Sequence, residues 1–154
     1  MLDQPLTRDD LEDFFRIRKK TGGTDRRALN KVLRALGIQL RGGTTRWSVV
    51  LHAIGLSETQ DPAHWADLKA PLLTADDVAA QLGLADTSII YRWGKGELAV
   101  GMPPFPAVID LSNGRKQARA KRWRRAEVLA WHRGQSIPQY AKAITAFGSL
   151  TPAN

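Results

Sequence analysis

Residues 71–134 read PLLTADDVAAQLGLADTSIIYRWGKGELAVGMPPFPAVIDLSNGRKQARAKRWRRAEVLAWHRG, and the order of patterns along them decides the fold. Thr74 is placed to cap a helix, with Asp76 and Asp77 supplying negative charge to a first turn where free amides and the helix dipole favour it. Val78, Ala79 and Leu82 then share one face, and Gly83 follows where the chain must stop and reverse. A second helix is expected from near Asp86 or Thr87. Its inner side is Ile89, Ile90 and Trp93, which leaves Ser88, Tyr91, Arg92 and Lys95 as a polar stripe at i, i+3, i+4 and i+7.

Beyond the proline-rich MPPFP, the run through Val108, Asp110 and Leu111 reaches Asn113-Gly114, a strong hairpin signal. Arg115, Lys116, Arg119, Lys121, Arg122, Arg124 and Arg125 then put seven cations into eleven residues. A strand pair with that many like charges repels itself, whereas a phosphate backbone turns the repulsion into counterion release. A hydroxyl, a phenol, a guanidinium and an ammonium on one helix face suit base edges and phosphates, although an ordinary solvated face has the same composition. Helix, turn, helix, basic hairpin and third helix is the order of a winged helix-turn-helix. It points to duplex DNA.

LLTADDVAAQLGL, SIIYRW and RWRRAEVLAWHRG together resemble the excisionase, AlpA-like and MerR-like winged helix-turn-helix group of small phage and mobile-element regulators. The resemblance covers 64 of 154 residues, with one extra residue across Leu84 to Ser88 that leaves Thr87 and Ser88 as alternatives for the DNA-facing position. Position by position it implies that Ser88, Tyr91 and Arg92 lie on the reading helix. Arg115 and Lys116 fall at the wing tip, and Trp123, Val128, Leu129 and Trp131 in the packing of strand and third helix. It brings no cofactor and no metal, and implies control of a phage, plasmid or integrative element, with an integrase or RNA polymerase as conceivable protein contacts.

The N-terminal part repeats the plan in degenerate form. LTRDDLEDFF parallels LLTADDVAAQL, with Thr7 as cap, Asp9 and Asp10 in the first turn, and Leu11, Phe14 and Phe15 apolar. Residues 25–36 form a clearer helix, with Leu29, Val32, Leu33 and Leu36 inside and Arg27, Asn30, Lys31 and Arg34 outside, again at i, i+3, i+4 and i+7. GIQLRGGTTRW is expected as a hairpin turning at Gly42-Gly43 between Arg41 and Arg46, followed by a third helix capped by Ser48. Trp47 and Trp123 are parallel landmarks in this reading. The expected fold class is therefore mainly α with small β-hairpins, in two tandem winged helix-turn-helix modules. The divisions are a degenerate module at 1–57, a linker at 58–70, the clearer DNA-binding domain at 71–134, and a C-terminal helix and tail at 135–154. Trp65 and Leu68 in the linker could equally form a short helix packed between modules. In the tail, Pro138 is placed near a helix start, with Tyr140, Ile144 and Phe147 closing the second core or offering a self-association surface.

Composition is compatible with an intracellular DNA binder. The formal charge is +8 and the pI about 10.3; residues 1–70 carry 12 basic and 9 acidic side chains, net +3, and residues 71–154 carry 11 and 6, net +5. Zero cysteines remove disulfides and thiolate metal sites. No apolar run is long enough for a bilayer and no signal-peptide pattern is present, so a cytoplasmic, nucleoid-associated location is expected. His52, His64 and His132 lack ligand spacing, and Asp9/Asp10 and Asp76/Asp77 sit where first-turn acids belong, so no enzyme is expected. The reading is a sequence-specific double-stranded DNA-binding protein, a homodimer or a monomer with two modules. Its reading residues are Arg27, Asn30, Lys31, Arg34, Thr87, Ser88, Tyr91, Arg92 and Lys95, with Arg41, Arg46, Arg115, Lys116, Arg119, Lys121 and Arg122 on the wings. A recombination directionality factor that bends attachment-site DNA and a small terminase DNA-recognition subunit use the same module, and an inhibitor that binds another protein through its basic face would show no sequence preference.

Overall fold

The computed structural model describes residues 2–17, 21–115 and 117–143. Within them the order is β1 (Pro5–Leu6), α1 (Arg8–Phe15), α2 (Arg26–Leu36), β2 (Thr45–Arg46), α3 (Trp47–Ala53), α4 (Trp65–Lys69), α5 (Ala75–Leu82), α6 (Ser88–Gly94), β3 (Ile109–Asp110), β4 (Lys121–Arg122) and α7 (Arg125–His132). Single 3-10 turns lie at Pro62–His64 and Ala118–Ala120. The chain is mainly helical, with two small antiparallel sheets among the described residues.

Two threonines start the two halves in the same way. Thr7 Oγ1 accepts from the Asp10 amide at 3.2 Å while the Asp10 carboxylate accepts from the Thr7 amide at 2.9 Å, and Thr74 and Asp77 repeat the exchange at 3.1 and 3.0 Å. Each pair satisfies two amides that a helix start would leave open. The acids at these positions are thus capping groups. Both helices end on a left-handed residue, Gly83 in one case and Arg16, with φ 60°, in the other. A side chain at such a φ is uncommon, and here it aims the Arg16 guanidinium at Asp77, Nε to Oδ2 at 2.9 Å.

The sheets extend the parallel. Leu6, just before the capping Thr7, pairs with Thr45, two residues ahead of α3; Leu73, just before Thr74, pairs with Trp123, two residues ahead of α7. Trp123 is therefore level with Thr45, and Trp47, which opens α3, is level with Arg125. The two tryptophans are not equivalent, because one sits on a strand and the other on a helix.

Two apolar clusters form the interior. The first gathers Leu6, Leu11, Phe14, Phe15, Leu29, Leu33, Trp47, Val50 and Leu51; the second gathers Leu73, Val78, Ala79, Ile90, Phe105, Trp123 and Val128. Each fully buried aliphatic or aromatic side chain contributes roughly 1.5–3 kcal/mol before entropy is charged. The first cluster also takes Leu68, Leu72, Ile109, Leu111 and Tyr140 from later in the chain. The end of α1 is a second point of contact, since Phe14 O accepts the Leu72 amide at 2.8 Å and Phe15 O accepts Arg122 Nε at 2.8 Å.

Several local expectations change. The linker contains α4, with Leu68 buried against the first cluster. Ser48 is not the cap of α3: the helix begins at Trp47 after Arg46, and the Ser48 amide donates to Leu2 O at 3.2 Å. Asn113 and Gly114 do take positive φ, 52° and 91°, yet they do not close a two-residue hairpin. The Asp110 carboxylate accepts from the Ser112 amide at 2.9 Å and the Gly114 amide at 2.8 Å, which turns the chain early and leaves residues 111–120 as a loop closed by Leu111 N to Ala120 O. Residues 135–143 form no helix, and Tyr140 is buried in the first cluster rather than the second. The Ser57 amide donates to Ala141 O and the Ala143 amide to Gly55 O, so this segment lies along the first half. Ile144 and Phe147 fall outside the described residues.

Candidate nucleic-acid interface

Helix α6 is short, and its start is held by Asp86, whose Oδ1 accepts the Ser88 amide at 2.9 Å. Ile90 is fully buried, which rotates Ser88, Arg92 and Lys95 into solvent. Thr87 is half-buried and precedes the helix as its cap residue, with no side-chain capping bond. Tyr91 departs from the expected outer stripe. It is half-buried, its ring 6.5 Å from that of Trp123, with Lys121 Nζ 5.9 Å above it. The phenol and Lys121 therefore border the exposed face of α6 from the side of β4.

Helix α2 carries the first half's cations. Asp25 caps it by accepting the Ala28 amide, Leu29 and Leu33 point inward, and Arg27, Asn30, Lys31 and Arg34 are all exposed. They do not stand alone. Arg27, Asn30, Lys31 and Arg34 line one concavity together with Arg115, from the loop after β3. A contiguous groove continues over Val32, Ala35, Leu111, Ser112, Asn113 and Gln117, sharing Lys31, Arg34 and Arg115. Asp110 shapes the loop that presents Arg115. Burial alone would raise its carboxyl, and the bonds from Ser112 and Gly114 outweigh that, so it titrates below the usual carboxylate range.

Arg8 joins this surface and was not singled out in the sequence. Its two terminal nitrogens donate to Asn30 Oδ1 at 2.8 and 2.6 Å. A cation at the first position of a helix opposes the dipole, and that misfit was the available signal. Asn30 is correspondingly committed to Arg8 through its carbonyl oxygen, leaving its amide nitrogen as the donor for an outside partner.

Other expected residues lie elsewhere. Arg41 and Arg46 are exposed at and after the Gly42-Gly43 turn but do not line the groove beside α2. Arg119 is exposed, and Lys116 falls outside the described residues. Arg122 is a correction. Only 8% exposed, it donates from Nε to Phe15 O and from one terminal nitrogen to Arg119 O and Lys121 O, at 2.7–2.9 Å. Strand alternation turns it inward, so it joins the two halves and is withdrawn from the interface. Arg124, also buried, lies 3.6 Å from Glu127 and 5.6 Å from the Tyr140 ring centroid. Burial pushes the Glu127 carboxyl up and the Tyr140 phenol up to about 12. Two of the seven clustered cations thus face the interior.

The Arg16–Asp77 contact yields a pH prediction. Burial raises the Asp77 carboxyl, but the hydrogen bond from Arg16, the Thr74 amide and the Arg16 charge together bring it below its ordinary value. A group depressed in the folded state stabilises above its unfolded pKa, and the contribution disappears as pH falls through the folded value. Asp77→Asn is expected to lower stability by about 1 kcal/mol at neutral pH, with the gap to the parent narrowing below about pH 4. Thermal unfolding of both proteins from pH 7 to pH 3 reads this out, and a constant gap would contradict it.

Comparison of the chain with protein-family models, with curated proteins and with solved structures gave no significant match. Among the described residues no helix is long and apolar enough to cross a membrane, and no group of three or more His, Cys, Asp or Glu side chains is placed to hold a metal ion.

Proposed function

We propose that this chain is a sequence-specific double-stranded DNA-binding protein made of two winged helix-turn-helix modules, acting in transcriptional control of a phage, plasmid or integrative element. The last step rests on the resemblance of residues 71–134 to regulators of that kind. The observation that carries the DNA reading is the face of α6, where Ser88, Arg92 and Lys95 stand in solvent directly opposite the buried Ile90. A hydroxyl and a guanidinium on a helix anchored from behind can reach base edges, with Lys95 on phosphate. The halves share capped first helices and matched strand pairs, which favours two related modules over one helical domain with an unrelated appendage.

The test separates reading from clamping on a duplex selected from a random pool. Arg92→Ala is expected to cost about 1–3 kcal/mol on the selected duplex and to relax preference at one base pair. Lys95→Ala is expected to weaken all duplexes alike and to flatten the salt slope by about one unit. Equal behaviour of the two variants would refute the assignment of roles.

A further inference from the structure

We propose that α2 and the loop after β3 form one composite phosphate groove, in which the helix of the first module and the wing of the second grip the same stretch of duplex. The inference rests on the DNA-binding reading above and assigns it a partner surface that neither module has alone. Arg27, Lys31 and Arg34 form one wall and Arg115 the other, and no carboxylate lines the groove. Its floor includes Val32, Ala35 and Leu111, which offer no charge to offset the cations. Asp110, the nearest acid along the loop, is spent on the Ser112 and Gly114 amides.

The loop is fastened to the first module rather than swinging from the second. Leu111 is 2% exposed and packs in the first cluster, and Ser112 is 7% exposed. Arg115 therefore moves with α2. A wall of cations facing another across an open trough repels itself in the free protein, and a regularly charged rod relieves that along its whole length, whereas a single small anion neutralises one point. The arrangement accordingly favours a polyphosphate backbone as occupant.

The experiment measures binding of a labelled random-sequence 20-base-pair duplex across a salt series. The proteins are the parent, Lys31→Ala/Arg34→Ala, Arg115→Ala and the triple variant. All three positions are exposed, and circular dichroism confirms that each variant is folded. The first is expected to flatten the salt slope by about two units and the second by about one. Because a phosphate run released from one wall also leaves the other, the loss of affinity in the triple variant should be smaller than the product of the two separate losses. Losses that multiply, or an Arg115→Ala protein that binds like the parent, would overturn the shared groove while leaving DNA binding intact. A parent protein that binds no duplex at low salt would overturn both.

Discussion

Trp123→Ala is expected to reduce the free energy of unfolding by about 3–5 kcal/mol, the largest loss of any single change in the second half. Trp123 is fully buried, exchanges both backbone hydrogen bonds with Leu73, and lies 6.2 Å from the Phe105 ring and 6.5 Å from the Tyr91 ring. Its removal opens a cavity beneath α6, and the backbone pair cannot close it. The face that presents Ser88 and Arg92 loses its support along with the core, so duplex affinity should fall although no DNA-facing atom has changed. Trp123→Phe tests the reason. The indole N–H is buried with no hydrogen-bond partner, so phenylalanine keeps most of the apolar volume and also discards an unsatisfied donor, at about 1–2 kcal/mol net. Urea unfolding of the three proteins should rank them parent, Phe, Ala. Equal stability of parent and alanine variant would mean that Trp123 is not the keystone described.

Arg122→Met should cost about 2–4 kcal/mol of stability and leave the salt slope of DNA binding unchanged. The guanidinium is pulled below its ordinary pKa by burial, with the charge on Asp77 opposing that, and it remains the donor that satisfies Phe15 O, Arg119 O and Lys121 O. Methionine fills much of the space but donates nothing, so these carbonyls lose their partner in a site closed to water. Phe15 ends α1, and the same bond ties the first half to β4, so the two halves should loosen together. A wing residue would behave oppositely, with stability near the parent's and a salt slope flattened by about one unit. Chemical denaturation and a binding series on one variant therefore decide which role Arg122 has.

The local grammar of this chain was legible because it depends on near neighbours. Thr7 with Asp10, Thr74 with Asp77, Asp25 before α2 and Gly83 after α5 act within one helical turn, and helical spacing placed Ile90 inside and Arg92 outside. The basic run after Asn113 was legible as charge and not as direction. In a strand only the phase of alternation says which cation points inward, and like residues at successive positions carry no phase. Arg122 and Arg124 were accordingly indistinguishable from Arg119 and Arg115.

Contacts between distant segments were hidden for a different reason. That Arg115 should face Arg34 follows from Leu111 entering the first cluster, and an isolated leucine beside a turn does not name the core it joins. Tyr140 is the same case: its apolar stripe suggested a helix over the second half, yet the segment runs extended along Gly55 to Ser57. The displaced equivalence of Trp47 and Trp123 shows how a landmark residue can mislead when the strand register, set by Leu6 with Thr45 and Leu73 with Trp123, is what aligns the halves.

The most direct test of the account is selection of bound fragments from a random duplex pool, followed by titration of the enriched duplex against a scrambled one at physiological salt. A sequence-reading α6 backed by cationic grooves predicts an enriched motif bound on the order of a thousandfold tighter than the scrambled duplex, with the advantage reduced in Arg92→Ala. A pool that emerges with no enriched sequence, or equal affinity for the two duplexes, would contradict it.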